Sequence, residues 1–81
     1  MAHLREYFRE STAERLREMR ALLEVLDEDA RERIARHFHA LSGLGATYGY
    51  PRISELGDEG ERTNDPARWR ELMDAVARAL C

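Results

Sequence analysis

At 81 residues the chain is long enough for one small domain, and its 43% hydrophobic content supplies a core only if the elements pack well. A net charge of −3 with both signs interspersed along the chain excludes the basic stripe of a nucleic-acid binder. All 13 basic residues are arginine, so lysine nucleophiles and Schiff bases are excluded, and the single cysteine, Cys81, rules out a disulfide framework within one chain. No apolar run approaches the roughly 18 residues of a membrane span, and the N-terminal stretch is too charged for a signal peptide. Together these features predict a cytoplasmic protein with neither nucleic-acid nor membrane partners; a monomer is the expected state, though not one that composition decides.

The first predicted element begins with Leu4, Tyr7 and Phe8 and resumes with Leu16, Met19, Leu22, Leu23 and Leu26, spaced by three and four as on a buried helical stripe. Ser11 and Glu14 between them have the spacing of a capping box, so this segment reads as a short helix followed by a long one, or as one bent helix. Asp27-Glu28-Asp29 supplies a turn and a cap, with carboxylates favourable at the positive end of the next helix. That second helix runs from about Ala30 to Tyr48 and is ended by Gly49. Pro51 suits the first turn of a third helix carrying Ile53 and Leu56, weakened by Gly57 and Gly60. Asp65 as a cap and Pro66 as a first helical residue open a last helix, whose Trp69, Leu72, Met73, Val76 and Leu80 form a core stripe rather than a cofactor box. The expected fold is all-α, an antiparallel up-and-down four-helix bundle occupying residues 1–81 as one domain; patterning alone leaves a dimer of two-helix hairpins open, and also a domain cut from a longer chain.

The second helix carries the chemistry. At about 100° per residue, Ile34, Phe38, Leu41, Leu44 and Tyr48 fall on one apolar stripe, and His39 lies opposite its centre. Its outer-face neighbours are Ala35 and Gly43, four residues to either side, and Arg36 and Ser42, three to either side. Three of these are small where exposed helix surfaces usually carry long charged side chains, so another molecule can reach the ring. Gly43 reads either as an access position or as a close-packing one, since glycine in a helix costs about 0.8–1 kcal/mol against alanine. His37 points toward the stripe and is expected to be a partly buried, hydrogen-bonded structural histidine. Ligands two apart on a helix point to opposite sides, so His37 and His39 do not form a metal site.

The run Ala35-Arg36-His37-Phe38-His39-Ala40-Leu41-Ser42-Gly43, with Gly49 ten residues after His39, resembles the histidine phosphotransfer (HPt) domain. That family's pattern is histidine, any residue, leucine, usually lysine, glycine, and later another glycine. The stretch from Phe8 to Leu26 resembles the family's first helix or helices, and Gly49 to Leu56 with Glu61 its third, so nearly the whole chain is covered. The resemblance implies that His39 is the phosphoacceptor and that Ala35, Arg36, Ser42 and Gly43 surround it as partner-binding and supporting residues. It implies response-regulator receiver domains and a hybrid sensor histidine kinase as partners, no cofactor on this chain, and magnesium in the partner receiver. Ser42 departs from the pattern by standing where lysine is usual, and Arg36 on the same face is the candidate replacement cation. A phosphohistidine carrier rather than an autonomous catalyst is therefore the leading function. A receiver-docking adaptor without transfer, favoured by the missing lysine, and a plain helical interaction module are the alternatives.

Overall fold

The computed structural model describes residues 2–81 and contains four helices: α1 (Ala2–Val25), α2 (Glu28–Thr47), α3 (Pro51–Arg62) and α4 (Pro66–Ala79). Met1, which the single-domain reading includes, lies outside the described residues. Connections of two or three residues force consecutive helices to run antiparallel, and each packs on the next while α4 closes against α1. The result is the expected up-and-down bundle, with no strand among the described residues.

The first helix is continuous from Ala2 to Val25, so of the two readings of this segment the single helix holds and the split into a short and a long helix does not. Ser11 and Glu14 make no cap. The Ser11 hydroxyl donates to the carbonyl of Phe8, within its own helix, and Glu14 pairs with Arg17. A serine whose hydroxyl bonds back to the preceding turn is tolerated inside a helix, and nothing between Phe8 and Leu16 breaks it. Leu26 then reverses the chain with φ of 50°, its amide bonded to the carbonyl of Leu22 at 2.9 Å.

Asp27 caps α2 as expected, accepting from the Ala30 amide at 2.8 Å. The other end is a Schellman closure: Gly49, with φ of 88°, donates to Ala46 O while Tyr50 donates to Gly45 O. Only glycine takes that backbone conformation without steric cost. Asp65 caps α4 by accepting from Ala67 at 3.0 Å, behind Pro66 at its first turn.

Phe8, Leu16, Met19, Leu23, Ile34, Phe38, Leu41, Ile53, Leu56, Trp69, Leu72, Met73 and Val76 form one contiguous core. Leu4 and Tyr7, expected at the head of the α1 stripe, are instead 52% and 62% exposed. Leu44, placed at the edge of the α2 stripe, is 37% exposed, and the inward position at this level is taken by Gly45. A Cβ on Gly45 would stand 2.6 Å from the Ser54 amide nitrogen, so the missing side chain lets α3 begin directly on α2. Gly57 and Gly60 likewise do not mark a weak helix. A Cβ at Gly57 would meet the Ser42 amide nitrogen at 2.5 Å and Phe38 O at 2.6 Å, and one at Gly60 would lie 2.3 Å from the Phe38 ring. Their absent side chains are what bring α3 onto α2 over its whole length, along the helix that carries both histidines.

Candidate functional site

The α2 backbone sends His37 and His39 to different surroundings. His37 lies between α1 and α2 with its side chain 18% exposed, and both ring nitrogens are engaged. Nδ1 accepts from the Arg15 guanidinium at 2.8 Å, and Nε2–H donates to the Glu18 carboxylate at 2.6 Å. Burial lowers its pKa from the ordinary histidine value; the Glu18 carboxylate opposes that shift and the Arg15 guanidinium adds to it. A neutral ring with two occupied nitrogens is structural, as the helical rotation predicts.

His39 is 73% exposed. Its Nδ1 lies 2.7 Å from Oε2 of Glu61 in the last turn of α3. An ionised carboxylate only accepts, so the proton of the neutral ring sits on Nδ1 and the Nε2 lone pair points away from the protein. An unprotonated ring nitrogen of this kind is a nucleophile.

Ala35, Arg36, His39 and Glu61 line one shallow depression of about 290 Å³. Ala35 and Arg36 thus join His39 as the spacing predicts. Arg36 reaches Glu32 at 3.7 Å with both side chains largely in solvent, an arrangement worth about 0–1 kcal/mol and easily exchanged for another anion. Gly43 is exposed, and a Cβ there would meet nothing within 4 Å, so it is not a close-packing glycine and leaves the surface beside His39 low. Ser42 is half-buried against α3 and is not a wall of the depression. What it contributes to a neighbour is its backbone carbonyl, which accepts from the Ser54 hydroxyl at 2.5 Å.

Glu61 is the site residue that the spacing of α2 does not reveal. It lies 22 positions from His39, and no local pattern links the two. The signal that exists is indirect: Gly57 and Gly60 at helical spacing mark the face of α3 that closes on α2, and Glu61 directly follows the second of them.

Among the described residues, no three His, Cys, Asp or Glu side chains gather as metal ligands, and no helix is long and apolar enough to cross a membrane. The larger cavity between α1 and α2, about 530 Å³, is lined by Ser11, Glu14, Arg15, Arg17, Glu18 and His37 and does not reach His39.

Neither a curated protein nor a solved structure matches the chain significantly. The family model described as the Hpt domain does match, over residues 3–80, from the first turn of α1 to the end of α4. A match of that extent leaves no helix outside it, and the chain belongs to the Hpt domain family, the histidine-phosphotransfer carriers of phosphorelays.

Proposed function

We propose that this chain is a cytoplasmic phosphorelay carrier in which His39 accepts a phosphoryl group from the aspartyl phosphate of a response-regulator receiver domain and passes it to another receiver aspartate. The observation that carries this reading is the His39 ring itself, 73% exposed and bonded through Nδ1 to Glu61 at 2.7 Å. The Nε2 lone pair attacks phosphorus in line, the N–P bond forms, and the P–O bond to the aspartate breaks with the carboxylate leaving. The ring becomes a phosphoimidazolium whose proton stays on Nδ1, where the Glu61 carboxylate stabilises the positive charge. No proton has to move in either direction, so transfer onward is the same step reversed.

The rest of the depression serves approach and charge. Phosphoryl transfer depends on positioning and electrostatics, so a carrier need offer little beyond a placed nucleophile. Ala35 and Gly43 keep the surface low enough for a partner's site to close over the ring. Arg36, loosely held by Glu32, is the cation that shares the depression with His39 and can meet the phosphoryl oxygens where the family's lysine is replaced by Ser42. This chain binds no cofactor in this reading, and magnesium belongs to the receiver, where it neutralises phosphate charge. A hybrid sensor histidine kinase is the upstream source that fits such a carrier.

The test is incubation with receiver domains charged by acetyl phosphate. Label is expected to pass to the wild type and not to His39→Gln. Label retained by His39→Gln overturns the assignment, and receiver binding without transfer by the wild type replaces it with a docking adaptor.

A further inference from the structure

We propose that Trp69 of α4 is a positioning residue for His39, acting through the carbonyl of Gly60 to hold Glu61 in place; this rests on the role given to Glu61 above. The last four carbonyls of a helix have no donor within it. In α3 the first of these, of Glu59, accepts from the Thr63 amide at 3.2 Å. The next, of Gly60, accepts the indole N–H of Trp69 at 2.9 Å in a fully buried hydrogen bond. The helix end that bears Glu61 is thus capped by a side chain from a neighbouring helix.

The same turn is fixed on its other sides. Gly60 presses on the Phe38 ring so closely that a Cβ would stand 2.3 Å from it, and Phe38 lies 6.5 Å from Trp69 between ring centroids. Arg68, beside Trp69, donates through Nε to the Glu59 carboxylate at 2.6 Å. Phe38 directly precedes His39, and Gly60 directly precedes Glu61. The exposed pair 39/61 therefore lies directly beside the buried pair 38/60, each residue being the covalent neighbour of its counterpart.

That coupling matters because the outer pair is weak alone. Exposed pairs of this kind gain little against solvent and side-chain entropy, so they persist where their backbones are already placed. Trp69 supplies the placement through the backbone carbonyl of Gly60.

The experiment uses the full chain with Trp69→Phe and with Trp69 replaced by benzothienylalanine, which keeps the indole shape and puts sulfur where the N–H was. Nitrogen-15 shifts of the neutral His39 ring report which nitrogen holds the proton, and transfer from a phosphorylated receiver reports function. Both replacements are expected to lower the Nδ1–H fraction and slow transfer about three- to tenfold, short of the hundredfold that a full 1 Å misplacement can cost. Val76→Ala removes core packing from the same helix and is expected to leave the Nδ1–H fraction at its wild-type value. The benzothienyl variant keeps the test decisive if Trp69→Phe does not fold. A wild-type Nδ1–H fraction in that variant, or an equal shift in Val76→Ala, overturns the proposal. Glu61→Ala serves as reference: if it moves neither readout, the role of Glu61 falls. A response to Glu61→Ala with none to the indole replacement overturns the role of Trp69 alone.

Discussion

His37 and His39 are two positions apart on one helix, and their ring nitrogens divide the work between them. Arg15 and Glu18 occupy both nitrogens of His37, while Glu61 occupies one nitrogen of His39 and leaves the other to solvent. The rotation of the helix separates the two without coordinates, because a step of about 200° turns one ring inward when the other is outward. The partner that fixes the His39 proton is different in kind, being placed by the packing of α3 on α2 rather than by any local spacing. Arg36 gives the most accessible test of the surrounding charge. Arg36→Ala is expected to slow transfer and shorten the phosphohistidine lifetime by about threefold to tenfold, since a single charge-assisted contact to phosphate is worth on the order of 1 kcal/mol or more at an exposed site. Rates and lifetimes equal to wild type remove that role.

Between helices, glycine decides how close the site's two halves come. Read locally, Gly43, Gly57 and Gly60 are all helix-weakening residues, and only one of them behaves that way. Propensity counts what a side chain does to its own backbone; Gly57 and Gly60 answer to a facing helix whose distance no propensity encodes. Gly43→Ala is expected to stabilise the fold by about 0.5–1 kcal/mol, because the added methyl enters open space and helical alanine is favoured. Gly57→Ala is expected to destabilise by about 1–3 kcal/mol, because the methyl meets α2 backbone that cannot swing aside. Thermal melts of both variants check the opposite signs, at about 4–8 °C per kcal/mol for a domain of this size. The capping signals at Asp27 and Asp65 were legible because they involve neighbours in sequence. The Ser11–Glu14 signal misled because a capping box needs a chain break before it, and Phe8 continues the helix instead.

The bundle as a whole was legible from periodicity and short connections, since four amphipathic segments joined by two or three residues have few ways to bury their stripes. One contribution to its response to pH comes from His37, partly buried between α1 and α2. The His37 pKa is lowered in the folded chain, chiefly by burial, so the unfolded chain takes up the proton first as pH falls. The stabilisation is therefore complete above the unfolded value of 6.5 and is lost as pH drops from there through the lower folded value. Wild-type melting temperature is expected to fall more than that of His37→Gln between about pH 7.5 and about pH 5.5. Equal losses in the two proteins contradict a neutral, structural His37.

The most direct test of the account asks which atom carries the phosphoryl group. Phosphorus–nitrogen NMR of the nitrogen-15-labelled chain, phosphorylated by a charged receiver, reads that atom. The geometry predicts a single N–P bond at Nε2 of His39, with Nδ1 still protonated beside Glu61. A bond at Nδ1 of His39, or any phosphoryl group on His37, contradicts it.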